Sequence, residues 1–173
     1  MASLKDIRGR IASVKNIRKI TRAMEMIAAA RLRRAEQRIE HLRPYADALR
    51  RMTSRASQAA DNIPNLPILQ EREQVSKVGI LLVTGDRGLA GPFNSQVVRR
   101  SLALAQEARA QGLEVKWAVV GKKGQSTLRF RRFPIAEAWT GFTDEPAHAD
   151  ARAIAHKVAE LFIEREVDRK SVV

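Results

Sequence analysis

The stretch that decides the architecture is residues 4–35, which read LKDIRGRIASVKNIRKITRAMEMIAAARLRRA. Apolar residues recur along it at steps that alternate between three and four almost throughout, a spacing typical of the a/d seam of a left-handed coiled coil. This apolar seam consists of Leu4, Ile7, Ile11, Val14, Ile17, Ile20, Met24 and Ile27, and it continues through Ala28, Leu32, Ala35, Ile39, Leu42, Ala46, Leu49 and Ala56. The pattern predicts one helix over residues 1–57, roughly 85 Å long at 1.5 Å per residue, whose apolar side needs a partner.

Local signals agree with a helix of this length. Ser3 is suited to the N-cap position, and Asp6, three residues later, completes a weak capping box. Pro44 removes one backbone hydrogen bond, but the apolar spacing resumes at Ala46 and Leu49. The sequence therefore predicts a bend at Pro44 and not the end of the helix.

The remainder of the chain predicts a separate α/β domain. Residues 58–74 are interpreted as a linker, because Pro64 and Pro67 cannot continue a helix. Within residues 75–173, short apolar runs alternate with helical patterns. The runs predict strands at 78–84, 115–120, 135–140 and from 167 onward, and the helical patterns lie at 92–111, 125–129 and 146–166. This order predicts an open, Rossmann-like, mostly parallel sheet. Such a sheet normally carries further strands, so we expect more sequence after Val173.

Basic charge is concentrated on the predicted helix. Residues 1–57 hold 15 lysines and arginines against 5 aspartates and glutamates, whereas residues 58–173 hold 17 against 14. This asymmetry indicates an anionic partner, which leaves nucleic acid, an acidic membrane surface and an acidic protein surface open. A solvated face of a coiled coil would show the same mixed charges.

The distribution of the charges favours an acidic protein partner. The basic residues are spread along the whole helix and interleaved with the apolar seam, unlike the dense basic region of a DNA-binding zipper. Tyr45 is the only aromatic residue of the stretch, so base stacking is disfavoured. The alternative is a basic nucleic-acid-binding protein with a coiled-coil helix.

The sequence offers no catalytic or metal-binding constellation. It has no cysteine, and His41, His148 and His156 lack the spacing of metal ligands. Nothing in it indicates a cofactor. No stretch approaches 18 uninterrupted apolar residues and no secretory signal is visible, so no membrane-spanning helix is predicted.

A glycine-rich loop follows the first predicted strand. It contains Gly85, Asp86, Arg87, Gly88 and Gly91, and its spacing G-x-x-G-x-x-G differs from the dinucleotide-binding G-x-G-x-x-G. We interpret it as a tight strand-to-helix turn that needs positive φ, with a phosphate-binding α/β enzyme as a third hypothesis. Residues 121–127, GKKGQST, lack the residue order of a phosphate loop and predict a surface turn.

A family resemblance lies mainly in the helix. Segments 19–21 (KIT) and 23–26 (AMEM), within a longer match over residues 7–35, resemble the N-terminal helix of the gamma subunit of F-type ATP synthases. Arg43-Pro44-Tyr45 and Asp86-Arg87-Gly88-Leu89, followed by Gly91 and Asn94, are also similar to that family. The resemblance covers the whole chain in order. This chain departs from the family in the loop, where Gly85 replaces a common serine and Ala90 a common cysteine. It also resembles only the N-terminal part of the family, because the family's C-terminal shaft helix is absent from it.

The resemblance implies a role that the residues alone do not. In this family the helix pairs with a C-terminal helix as an antiparallel coiled coil, the central rotor shaft inside the ring of alpha and beta subunits. The α/β domain lies against the epsilon subunit and the ring of c subunits. The subunit has no catalytic site and couples ion-driven rotation to ATP synthesis or hydrolysis. The resemblance also implies a peripheral position at the cytoplasmic face of the bacterial plasma membrane, and no nucleic-acid partner.

The resemblance further implies a contact surface on the shaft. Met24 lies where the family's shaft meets the acidic lever loop of the beta subunit. Five basic residues flank it: Lys19, Arg22, Arg31, Arg33 and Arg34. Attraction between a basic shaft and acidic levers is screened by salt and weakly directional. We therefore expect a positive charge added at Met24 to disturb the coupling of rotation to catalysis.

Overall fold

The structure is a computed structural model that describes residues 3–59, 68 and 72–173. The chain divides into two units, Met1–Pro64 and Asn65–Val173. The first two residues of the predicted linker belong to the first helix. Most of its other residues, 60–67 and 69–71, lie outside the described residues.

The first unit consists of one long helix, α1 (Leu4–Ala59). At its start the Ser3 amide donates to the Asp6 carboxylate (3.1 Å), and the Ser3 hydroxyl oxygen accepts from the Lys5 amide (3.3 Å). These bonds satisfy amides that the first turn of a helix leaves without partners. The helix continues through Pro44, so the apolar spacing on both sides of that residue correctly predicts that it does not end there.

The second unit alternates strands and helices in its described part. The elements are β1 (Lys77–Val83), α2 (Phe93–Ala110), β2 (Glu114–Val120), α3 (Lys122–Phe130), β3 (Ile135–Trp139), α4 (His148–Ile163) and β4 (Arg169–Val172). The strand order is β3-β2-β1-β4, and every pairing is parallel. The predicted α/β fold with a largely parallel sheet is therefore confirmed.

The deepest core lies on the side of the sheet that carries α2 and α3. Alternate residues of β1, namely Val78, Ile80 and Leu82, point to this side, where they pack with Trp117 and Leu128. Each of these five side chains is at most 2% exposed. Burial at about 25 cal/mol per Å² of apolar surface makes this side the main source of the domain's stability.

The intervening β1 residues point to the opposite side, which carries α4. Gly79 lies there beside Val167, which forms a smaller buried cluster with Leu161 and Phe162. Because all strands run parallel, the loops that follow β1, β2 and β3 meet at one edge of the sheet. Ligands of open α/β folds bind at this edge, so its chemistry decides whether the domain has a ligand site.

Candidate functional site

The described part of α1 leaves its apolar seam open to solvent. The leucine, isoleucine, valine and methionine residues of the seam are between 49% and 67% exposed. A continuous apolar row of this length marks an interaction surface, whereas single exposed apolar residues do not. Its alternating spacing fits the side chains of a second helix.

The six residues predicted to contact the beta-subunit lever do not share one face of α1. Successive residues of an α-helix are about 100° apart, so Arg31, seven residues after Met24, lies on the same face as Met24. Arg34 lies at the flank. The opposite side carries a basic row that consists of Lys19, Arg22 and Arg33. All six residues are exposed. The helix therefore separates an apolar face, suited to a helical partner, from a basic row that remains free to face an acidic surface.

Asp86 joins the three loops at the carboxyl edge of the sheet. Its Oδ1 accepts a hydrogen bond from the Lys122 amide (2.9 Å), at the start of α3. Its Oδ2 accepts from the Gly141 amide (2.8 Å) and from the amide (3.1 Å) and hydroxyl (2.9 Å) of Thr143. We call Asp86 with these three partners the Asp86 cluster.

The cluster holds Asp86 in its charged form. Desolvation alone would raise the pKa of Asp86, but the backbone hydrogen bonds from Thr143 and Lys122 act in the opposite direction. With the Thr143 hydroxyl and the Gly141 amide they lower the pKa from 3.8 to about 2. The carboxylate therefore stays ionised at neutral pH and ties the loops after β1, β2 and β3 together.

The other residues of the glycine-rich loop support this turn. The Gly85 amide donates to Asn94 Oδ1 (2.9 Å), and Arg87 Nε pairs with Asp144 Oδ2 at 2.6 Å. Gly91 has φ of 54°, a conformation that glycine adopts without strain. Gly88 is exposed at the outer side of the loop. The five predicted turn residues thus lie in one loop, where Asp86 makes most of the bonds to other segments.

The segment at residues 121–127 is not a surface turn, as the sequence predicted, but the start of α3. Gly121 has φ of 92°, and a Cβ atom there would lie 2.1 Å from the carbonyl oxygen of Thr84. The Thr84 hydroxyl donates to the Val120 carbonyl (2.9 Å) and accepts from the Gly124 amide (2.8 Å). Two glycines three residues apart, directly after a buried strand, were the available signal for this close approach of α3 to β1.

The loops do not form a phosphate site of the usual kind. Such sites present unpaired backbone amides to the anion. Here the amides of Lys122, Gly141 and Thr143 already bond to Asp86, and that of Gly85 bonds to Asn94. A phosphate at this position would also meet the negative charge of Asp86. The observed geometry argues against the phosphate-binding hypothesis.

Metal-binding clusters and membrane-spanning helices are both absent from the described part of the chain. Among the described residues, no group of three or more histidine, cysteine, aspartate or glutamate side chains is arranged to hold a metal ion. No helix in residues 3–59 or 72–173 has the length and hydropathy needed to cross a bilayer.

A long helix with an exposed apolar seam, followed by a parallel α/β domain, is typical of a protein whose helix pairs with another helix. Comparisons with known proteins agree on its family. Residues 3–173 match the family model described as ATP synthase. The ATP synthase gamma chain of Nostoc punctiforme is 42% identical over an alignment of 174 residues, which covers 100% of this chain and 55% of that relative. The gamma chain of Rubrobacter xylanophilus is 41% identical, with 100% and 58% covered.

A solved structure extends the comparison to the fold. It is the central stalk and c-ring of the mitochondrial ATP synthase of Tetrahymena thermophila, with a TM-score of 0.58 and 29% identity. The match covers 80% of this chain and 58% of that chain. The chain therefore belongs to the ATP synthase family, and the relatives that it matches in sequence are gamma chains. It spans little more than half the length of those gamma chains.

Proposed function

We propose that this chain supplies the central rotor shaft of an ATP synthase. The observation that carries the proposal is the exposed seam of α1, in a chain whose relatives are ATP synthase gamma chains. The shaft couples ion-driven rotation of the membrane ring to ATP synthesis or hydrolysis in the beta subunits, and has no catalytic site of its own. The complex places it peripherally at the cytoplasmic face of the bacterial plasma membrane.

The two faces of α1 fit the two contacts of a shaft. The seam takes a second, antiparallel helix, which supports α1 against bending. The basic row stays outside this pair and faces the acidic levers of the beta subunits, whereas Met24 and Arg31 contact the levers from the seam side of the helix. The domain at residues 75–173, joined by the linker at 58–74, contacts the epsilon subunit and the c-subunit ring.

Binding to the catalytic hexamer tests this proposal. The full chain is mixed with a purified hexamer of alpha and beta subunits, and copurification is measured over a range of salt concentrations. Replacing the basic row by Lys19→Gln, Arg22→Gln and Arg33→Gln should weaken binding roughly tenfold at low salt and reduce its salt dependence. The control carries Arg100→Gln, Arg129→Gln and Arg152→Gln, which remove the same charge from exposed positions of the α/β domain.

The competing ligand is duplex DNA. A DNA-binding function predicts strong, salt-dependent affinity of the wild-type chain for duplex DNA and no retention by the hexamer. If the control variant lost as much hexamer binding as the basic-row variant, net charge and not the shaft surface would account for the association. Either result would contradict the proposed function.

A further inference from the structure

A second basic surface lies on the α/β domain, between α2 and α3. The two helices enclose an open cleft of about 440 Å³, which we call the α2–α3 cleft. Val98 and Leu102 contribute apolar lining on α2, next to Arg99, and the facing wall carries Lys123 and Arg131. Residues 123 and 131 are eight apart, so they lie on one side of α3 and its C-terminal end.

The cleft belongs to the basic half of a domain whose charges are segregated. Residues 86–132 hold 10 lysines and arginines against 3 aspartates and glutamates. Residues 133–173 hold 5 against 8. The positive charge of the domain is therefore concentrated in the region that includes α2 and α3. Such a region raises the local concentration of anionic partners.

The cations of the cleft are available to a ligand. Among the ion pairs of the described residues, none includes Arg99, Lys123 or Arg131. The carboxylate that bonds to the start of α3, that of Asp86, is already held by the amides of the loops. Lys123 extends along the rim toward Gly88, where a Cβ atom would lie 3.7 Å from its Nζ.

We propose that the α2–α3 cleft binds an extended acidic peptide segment of a partner protein, which places an apolar side chain between its carboxylates. This site is separate from the shaft surface and does not rest on the proposed function. The spacing of the cations selects an extended chain. Eight residues of helix between Lys123 and Arg131 correspond to about 12 Å, which an extended peptide spans in roughly four residues.

Other anions fit the cleft less well. A single phosphate ion is too small to contact both Lys123 and Arg131, which are separated by about 12 Å. Single-stranded nucleic acid is held by aromatic platforms, and the cleft walls formed by the described residues carry no aromatic ring. The apolar floor at Val98 and Leu102 is instead suited to a leucine-like side chain between two acidic residues.

The test uses the full chain and a short fluorescein-labelled peptide that alternates glutamate and leucine. Fluorescence anisotropy measures its affinity for three proteins: the wild type, the variant Arg99→Gln with Lys123→Gln, and the variant Arg100→Gln with Arg129→Gln. The last pair removes the same charge from the same two helices, outside the cleft. We expect a roughly tenfold loss for the cleft variant and less than about a twofold loss for the control.

Three further measurements locate the bound peptide and identify the chemistry of the ligand. Amide chemical-shift changes in the isotope-labelled chain should concentrate on α2 and α3. Equal losses in both variants, or shift changes confined to α1, would overturn the proposal. So would displacement of the peptide by inorganic phosphate beyond the effect of sodium chloride at equal ionic strength. Binding of duplex DNA that is weakened by the cleft variant alone would assign the cleft to nucleic acid instead.

Discussion

At the scale of single residues, Asp86 connects three loops that are far apart in the chain. Its hydrogen-bond partners are 36 to 57 positions away in the chain, in the loops that follow β2 and β3. The glycine-rich loop could be predicted as a strand-to-helix turn from its position. The role of its aspartate could not, because the donors come together only when the parallel strands align their carboxyl ends.

Asp86→Asn should lower the free energy of unfolding of the α/β domain by about 1–2 kcal/mol near neutral pH. An amide side chain presents N–H groups to the amides of Gly141 or Thr143, so at least one of them loses its acceptor. Urea unfolding followed by tryptophan fluorescence measures the effect, because both tryptophans, Trp117 and Trp139, lie in the domain. Asp144→Asn is the matched control, since it breaks only an exposed ion pair and should cost less than about 1 kcal/mol.

Asp86→Asn also tests how the stability of the α/β domain depends on pH. The pKa of Asp86 is lowered from 3.8 to about 2, so between these values the unfolded state binds more protons than the folded state. The contribution of Asp86 is therefore complete above about pH 5 and disappears as the pH falls toward 2. The stability difference between wild type and Asp86→Asn should shrink over that range. A difference that stays constant down to the lower limit would show that the carboxylate charge is not responsible.

Gly121→Ala should destabilise the domain by more than about 3 kcal/mol or prevent its folding. The new Cβ atom would lie 2.1 Å from the Thr84 carbonyl oxygen and require φ of 92°. Gly112→Ala separates the strain of positive φ from the contact with Thr84. Gly112 also has positive φ, 78°, but its Cβ atom would meet no atom within 4 Å. The control should cost only about 1–2 kcal/mol. Equal losses in the urea midpoint would mean that contact with Thr84 is not the dominant cause.

At the scale of elements, periodicity predicted most of the domain. The strands read as short apolar runs because both sides of the sheet carry helices, and α2 and α4 appeared within a few residues of their observed ends. The start of α3 was missed, since its first turn, Lys122-Lys123-Gly124, has no apolar residue to reveal helical spacing. Tertiary packing of Gly124 against Thr84, and not local propensity, places that turn.

Pro44→Ala should stabilise α1 without affecting the α/β domain. Proline in a helix interior removes one hydrogen bond and costs about 3 kcal/mol relative to alanine. The helical signal in far-ultraviolet circular dichroism should therefore melt at a higher temperature, while the tryptophan transition stays unchanged. Gly9→Ala is the variant for comparison, because it should stabilise the same helix by only about 0.5–1 kcal/mol. A Pro44→Ala gain no larger than that of Gly9→Ala would indicate that the helix has already adapted to the proline.

At the scale of the whole molecule, the net charges of sequence segments revealed only part of the distribution of charge. The excess on residues 1–57 was visible in the sequence, and it correctly pointed to α1 as a basic helix. The uneven distribution of charge within the domain was not visible in its total of 16 basic and 11 acidic residues, because the excess of each sign occupies a different segment. Arg99, Lys123 and Arg131 line one cleft only because α2 packs beside α3.

A pair of methionines tests which side of the shaft faces the catalytic subunits. Met24 lies on the seam, whereas Met26, two residues later, lies about 200° around α1, beside the basic row. In the assembled complex, Met24→Lys should preserve ATP hydrolysis but reduce the number of ions pumped per ATP. An ammonium group at that position forms an attraction to the acidic lever that holds the shaft at one angle. Met26→Lys adds the same charge to a side that is already basic, and it should leave the ratio within about twofold of wild type.

Ion pumping and ATP hydrolysis must be measured on the same membrane vesicles, because a change in assembly would lower both rates together and leave their ratio intact. A reduced ratio in Met24→Lys alone would locate the lever contact on the seam side of α1, at Met24. If Met26→Lys alone reduced the ratio, the lever would contact only the basic row, and Met24 would face only the partner helix. The assignment of Met24 to the lever contact would then be wrong, although α1 would remain the shaft.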